Sequence, residues 1–380
     1  MPLSYLEVDL FPSINEDVSI YKFYDFLEKL SNDSIYVEFW ISIVGVFLTI
    51  FHLVVLSKIT GSSIVSIMIG VAICDLLSMI VNIASRDMIL NFFGAACTPP
   101  NTLFINHVFW ILMTIRDDVI RCSTWLTVLM ALIRYLVSKY FSKTQFHVMS
   151  GFHFGFLASL VSFLISSLFS MFFYLCVKFV EVGKWKPSQN CTNIPLHTEM
   201  LLYEQRLSDM FSIDNGTPLR IFQLVNGSAS KIIPCILLPF LTTLLAVELR
   251  RTEKNRRSTS VLYKNNTEKT TILVIIMTFL IFVASLPTGI ATAFQVAYVD
   301  LGFLFIFIYV DTICNALLLS TASINCFICF AMSSQYRKTA KRMLRNAILN
   351  EWMACPGNIN GEEINANSLF LSRDPINKDI

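Results

Sequence analysis

Seven long apolar segments divide this chain, at about Val37–Ile59, Ile64–Leu90, Phe104–Val137, Met149–Val177, Lys231–Leu249, Thr271–Val296 and Leu301–Ala331. Each exceeds the roughly 17 residues needed to cross a hydrocarbon core, although the fifth is short. Inside lipid a backbone must satisfy its own polar groups, so a spanning segment is a helix or a strand of a closed barrel. These runs are continuously apolar, without the two-residue alternation of barrel strands, and read as helices. Composition agrees: 15% of residues are charged, against roughly a quarter in a soluble domain. The expected fold is an all-α membrane protein, a seven-transmembrane helix bundle set in a lipid bilayer.

Lysine and arginine orient the bundle. The stretch Leu249–Thr270 holds seven of them: Arg250, Arg251, Lys254, Arg256, Arg257, Lys264 and Lys269. Ser333–Arg345 holds five and no acid, whereas the first 36 residues carry seven acids against Lys22 and Lys29. The long segment after the fourth span is mixed, with five residues of each sign. The expectation is an outer N-terminus and a cytoplasmic C-terminus. Residues 1–36 would form the outer tail, 37–346 the bundle and 347–380 the inner tail. The first residues lack a basic stretch followed by an apolar core, so no cleavable leader is expected and the first span would act as signal anchor. Within the tail, Val18–Leu30 is aromatic and faintly amphipathic. It reads as a floppy outer segment rather than a helix that captures ligand.

Glycosylation sequons at Asn32, Asn190, Asn215 and Asn226 fall on the expected outer side; a further one at Asn265 falls inside. Of the ten cysteines, Cys74, Cys122, Cys235, Cys314, Cys326 and Cys329 lie within spans, where a small apolar side chain packs well. Cys326 and Cys329 lack the histidine or carboxylate company of a metal site. Cys97, just before the third span, and Cys191, in the long outer loop, face an oxidising compartment and are candidates for a disulfide. Cys176 is the rival partner.

The third span carries Arg116, Asp117, Asp118 and Arg121. Ionised groups at membrane depth face the bundle interior and mark function by default. At 100° per residue, Arg116, Ser123, Thr127 and Arg134 share one helix face, and Arg116 lies roughly 27 Å from Arg134 along the axis. Asp117 and Arg121 stand at i,i+4 spacing and Asp118 and Arg121 at i,i+3, so either acid can pair with the arginine. This cluster reads as a self-compensated ion network, as a ligand pocket offering both signs of charge, or as both. Asp311, toward the outer end of the seventh span, adds a carboxylate to the same mouth. Asp75 in the second span, Ser123 and Asn325 can form a small hydrated polar site.

With these residues in view, the pattern resembles a rhodopsin-like G-protein-coupled receptor, and more narrowly the nematode serpentine receptor class W, related to FMRFamide-type neuropeptide receptors. The resemblance rests on Met68–Asp75 in the second span, and on Arg116-Asp-Asp, Arg121–Trp125 and Met130–Tyr135 in the third. Ser230–Cys235 in the fifth, Leu286–Gly289 in the sixth and Ala331–Thr339 after the seventh complete it. It covers about Val37–Arg345. It implies that Arg134 closes on helix six when inactive and meets the G protein when active. It likewise implies that Asp75, Ser123 and Asn325 form the activation network, with a possible sodium ion, and that Pro234 and Pro287 kink helices five and six. Cys97 and Cys191 resemble the family's loop disulfide. Met332–Asn346 resembles a short amphipathic eighth helix on the inner membrane face. Departures are specific: Ile133 stands where an acid usually restrains the arginine, Ser285 where a switch tryptophan is usual, Thr49 where helix one has asparagine, and Cys326 and Cys329 in place of proline and tyrosine.

The function expected from all this is a plasma-membrane receptor for an extracellular ligand, most simply a short peptide, signalling through a heterotrimeric G protein. Arg116, Asp117, Asp118, Arg121 and Asp311 would bind the ligand. One rival is a chemoreceptor for a small environmental molecule. Another is a transporter or channel, disfavoured because no repeated halves with paired broken helices appear. No nucleophile–base pair or metal-ligand spacing appears in the spans, so enzymatic activity and resident cofactors other than the sodium ion are not expected. Nothing suggests nucleic-acid binding.

Overall fold

The computed structural model describes residues 10–12, 18–59, 61–92, 99–140, 148–187, 199–256, 261–298 and 300–354. Helices run over α1 (Val18–Ser57), α2 (Ser63–Phe92), α3 (Leu103–Lys139) and α4 (Phe152–Leu175). A two-stranded hairpin, β1 (Val177–Trp185) and β2 (Met200–Leu207), follows. The fifth helix, α5, is assembled from Thr217–Gly227, a π turn at Ser228–Ile232 and Ile233–Arg256. Then come α6 (Val261–Ala297), α7 (Leu301–Met332) and α8 (Ser334–Ala354). Seven helices, α1 to α7, are long and apolar enough to cross a membrane. Around the bundle α1 packs on α2 and α7, α3 on α2, α4 and α5, and α6 on α5 and α7.

Packing follows the logic of helices in lipid, where apolar side chains gain nothing by meeting each other and small residues set the contacts. α4 shows this most clearly. Phe156, Leu157, Leu164, Leu168 and Met171 point outward, while Gly155, Ser166 and Ser170 are buried. A Cβ on Gly155 would lie 2.9 Å from the Ser63 Cα, so glycine is what lets α4 approach the start of α2. Thr102 caps α3 by accepting the Ile105 N–H at 3.3 Å.

Two boundaries differ from the sequence expectation. The fifth span begins not near Lys231 but at Thr217. Its N-terminal half carries Asn226, Ser228, Ser230 and Lys231, whose polarity lowers local hydropathy, although Ser230 and Lys231 reach Arg121 of α3 and Asp311 of α7. Asn226 is therefore a helical residue whose Oδ1 accepts the Ser230 hydroxyl at 3.1 Å. Its sequon therefore lies within the fifth helix, where the sequence expectation placed it ahead of the fifth span. Asn32 is exposed on α1 and Asn215 lies in the turn Ile213–Gly216; Asn190 lies outside the described residues.

The other difference is at the N-terminus. α1 starts at Val18 and continues without a break into the span, so 18–36 is helix rather than floppy tail. Leu10 and Phe11 fold over the start of α7, where the Gly302 N–H donates to the Leu10 carbonyl at 2.8 Å. Phe11, Tyr24, Leu27, Phe303 and Ile306 form one buried cluster, and the Tyr24 and Tyr309 hydroxyls bond at 3.2 Å.

At the opposite end, the Ser333 backbone is extended and breaks α7 from α8. Arg337 caps the last turn of α7, its Nη1 donating to the Ala331 carbonyl at 2.6 Å and the Phe330 carbonyl at 3.3 Å. Tyr336 is buried against Val55, Leu56, Cys326 and Cys329 and anchors α8. Its hydroxyl bonds His52 Nδ1 at 2.9 Å and Cys326 at 3.4 Å, and burial, with Cys326 second, raises its phenol above the usual value. The expected eighth helix is present and runs eight residues further than the resemblance implied, to Ala354.

Candidate functional site

The charges on α3 fall into two groups. Arg121 is buried, its side chain 2% exposed, and ties three helices together. Its Nε donates to Ser230 Oγ of α5 at 2.8 Å; its Nη1 reaches the Ser166 carbonyl at 2.8 Å and Ser170 Oγ at 3.2 Å on α4. Its Nη2 pairs with Asp117 on its own helix, as the i,i+4 spacing predicted. Asp118 does not take up the alternative i,i+3 pairing. It is buried toward α4, where Ser167 donates to its Oδ2 at 2.9 Å, and its Oδ1 has no partner among the described residues. Arg121 and Asp118 are thus enclosed in helix packing, where the sequence alone left them equally open to a ligand.

Arg116 is also engaged, with a group that sequence reasoning missed. Its Nη2 donates to Glu38 Oε1 of α1 at 2.6 Å, and the side chains are 14% and 4% exposed. Glu38 is the second residue of the expected first span, and a lone acid so close to a span boundary reads as an interfacial residue in water. Asp311 is met by another missed group, Lys231 of α5, at 3.6 Å, and accepts Asn315 Nδ2 at 2.8 Å. Lys231 was hidden by its use as a span boundary. Within these two pairs the acids are the accessible halves: the Asp117 and Asp311 side chains are 30% and 32% exposed, against 2% and 13% for Arg121 and Lys231.

α5 owes its shape here to Pro234. Within the π turn, Ile233 N–H bonds the Ser228 carbonyl, five residues back. The corresponding partner of the Ala229 carbonyl would be residue 234, and proline has no N–H. Trp125 Nε1 of α3 supplies the missing bond at 3.0 Å. Pro234 and Trp125 therefore act as a pair that locks α5 to α3 one turn below Arg121. Pro287 sits inside α6, and a second proline within α5, Pro239, lies further along.

Deeper in the bundle, Ser123 Oγ donates to Asp75 Oδ1 at 2.9 Å and Asn325 Nδ2 to Asp75 Oδ2 at 3.4 Å. These three residues and Thr127 line a cavity of about 50 Å³, and a neighbouring one of about 40 Å³ extends toward Thr49 and His52. Each exceeds the ~10–15 Å³ that admits a water molecule. Asn325 Oδ1 is buried without a partner among the described residues and adds an oxygen to the set. A carboxylate, a hydroxyl and an amide oxygen are the donors that suit a hard cation.

Toward the C-terminal end of α3, Ile133 is buried and Arg134, half-buried, makes no hydrogen bond or ion pair among the described residues. The residue before it provides no acid, so the local restraint is absent.

Directly after α4 comes the β1–β2 hairpin, paired from Val177↔Leu207 to Trp185↔Met200 and closed by Ser208 N–H on the Cys176 carbonyl at 2.9 Å. Lys178 pairs with Asp209 at its base. Hydrogen bonds from Lys186, then Lys184, hold the Glu199 carboxyl below its usual range. Cys176 is a buried thiol, unbonded among the described residues and pushed up to about 11 by burial; Cys97 and Cys191 lie outside the described residues.

Residues 36–347 match the family model described as serpentine type 7TM GPCR chemoreceptor Srw. No curated protein matches the chain.

Proposed function

The chain belongs to the Srw family of serpentine seven-transmembrane G-protein-coupled chemoreceptors, and we propose that it is a plasma-membrane receptor, N-terminus outside, for a cationic extracellular ligand, in the first place a short basic peptide. It is a multi-pass membrane protein of a receptor family, not of an enzyme family, and its family implies a heterotrimeric G protein as partner. The observation that carries the ligand class is the asymmetry of the two ion pairs at the outer mouth. The acids Asp117 and Asp311 are about a third exposed, while Arg121 is buried and Lys231 only 13% exposed. A ligand approaching from outside therefore meets carboxylates first, and an ammonium or guanidinium can share them through charge-assisted hydrogen bonds. The peptide reading is supported by the resemblance to neuropeptide receptors. A small amine would meet the same carboxylates, and the family's description as chemoreceptors favours that second reading.

Ligand bound between α3, α5 and α7 acts on Lys231–Asp311, which joins α5 to α7, and on Asp117–Arg121, whose arginine ties α3 to α4 and α5. It shifts the equilibrium only by its differential affinity for the two arrangements. The responding motion is an outward swing of α6 about Pro287, which exposes Arg134 and the basic 249–270 stretch to the G protein. Asp75, Ser123 and Asn325 would hold a sodium ion, which favours whichever arrangement keeps their oxygens converged.

The test is a signalling screen in cells with confirmed surface expression, using amidated basic peptides beside small amines. Asp117→Asn and Asp311→Asn are expected to lower the potency of the active compound. Activation by neutral or acidic compounds alone, with potency unchanged in both variants, overturns the ligand class.

A further inference from the structure

On the lipid-facing side, α5 and α6 leave a crevice of about 500 Å³ between them. Pro239, Thr242, Ala246 and Arg250 of α5 form one wall, and Phe279 and Phe282 of α6 the other. The sequence accounts for its shape. The Thr242 and Thr278 hydroxyls bond each other at 2.8 Å and fix the helix spacing at that level. One turn further on, Ala246 supplies almost no bulk. The Thr243 hydroxyl turns back to the Pro239 carbonyl at 2.8 Å, so the threonines offer no unsatisfied hydroxyl to an occupant.

The dimensions identify what fits. From Pro239 to Arg250 a helix rises roughly 16 Å, about half of the ~30 Å hydrocarbon core. Arg250 is exposed and stands two residues past the end of the candidate span Thr217–Glu248. The crevice thus reaches from headgroup level to the bilayer midplane, one leaflet deep, apolar along its length and bordered at the interface by a guanidinium. Arg251, Lys254, Arg256 and Arg257 follow in the sequence and make this stretch strongly basic. Clustered basic residues beside a span attract anionic lipid.

We propose that this crevice is a binding site for one phospholipid of the cytoplasmic leaflet, with an acyl chain between α5 and α6 and an anionic headgroup on Arg250. The leaflet rests on the orientation proposed above. Because Phe279 and Phe282 belong to the helix that swings, an occupant that fits one arrangement better than the other biases the receptor's resting equilibrium.

The experiment uses the full chain in nanodiscs of phosphatidylcholine containing phosphatidylserine with a photoactivatable group at the end of its acyl chain. Both leaflets carry the probe, so the result does not depend on orientation, which glycosylation mapping reads separately, and no ligand or G protein is needed. The expected cross-links fall on residues 239–250 and 278–282. Ala246→Trp, which fills the crevice, is expected to remove most of them; Ala246→Leu serves if the larger variant does not fold. Arg250→Gln is expected to lower phosphatidylserine labelling about fivefold and leave a phosphatidylcholine probe unchanged. Labelling spread evenly around the bundle, or unaltered by filling position 246, overturns the site. Equal labelling by the two lipids in the wild-type chain overturns the anionic headgroup.

Discussion

Removing Arg116 alone should damage the bundle far more than removing it together with Glu38. The two side chains are 14% and 4% exposed and bonded at 2.6 Å between α3 and α1. Arg116→Met strands a carboxylate with almost no access to water, and breaking one side of a buried pair typically destabilises by about 3–5 kcal/mol. Glu38→Met strands the better-hydrated partner and should fall at or below the low end of that range. Replacing both with Met removes two desolvation penalties along with the attraction and should return to within about 1 kcal/mol of the starting stability. The double-mutant cycle then gives a coupling of at least about 2 kcal/mol. Denaturant unfolding of the purified receptor in micelles, followed by circular dichroism, measures all four corners. Additive losses, with the double variant the least stable of the set, would refute the argument that these groups hold each other. Loss of ligand binding in Arg116→Met at unchanged stability would return Arg116 to the ligand.

Other consequences are equally direct. Gly155→Ala should cost about 1–3 kcal/mol, because the new Cβ meets backbone at Ser63 that cannot step aside, and the same unfolding assay reads it. Tyr336→Phe leaves His52 without its 2.9 Å partner and should free α8 from α1 at about 1–2 kcal/mol, seen as faster hydrogen exchange confined to Ser334–Ala354. Asp75→Asn should abolish any dependence of agonist affinity on sodium while expression is retained; an unchanged sodium response in the variant removes the cation from the Asp75 cavity. Glycosidase treatment should shift a chain whose only sequon is Asn32 and leave one retaining only Asn226 unshifted, since Asn226 is folded into α5.

Much of the bundle was legible because a bilayer demands long apolar runs, and their polar punctuation marks the ends. The Asp117–Arg121 pair and the meeting of Asp75 with Ser123 and Asn325 followed from helical spacing and from the family pattern. What escaped had a common cause. Glu38 and Lys231 sit at span boundaries, where hydropathy reads a charge as the end of a helix, although each is an inward-facing half of an interhelical pair. The same ambiguity truncated α5 at its polar turns and left 18–36 unassigned as helix. The burial of Arg121 and Asp118 depends on which α4 face is small and hydroxylated, and Ser166, Ser167 and Ser170 make sense only once α4 is seen against α3. The Trp125–Ala229 bond needs a π turn, whose register a regular helix pattern does not contain.

The central claim is that this bundle transmits an extracellular signal to a G protein through Arg134. Agonist-stimulated nucleotide exchange on a purified G protein, in membranes bearing wild-type receptor or Arg134→Ala, tests it most directly once an agonist is in hand. The account predicts exchange with the wild type and its loss in the variant, with agonist binding preserved. Full exchange in Arg134→Ala, or agonist binding that never accelerates exchange in the wild type, would contradict it.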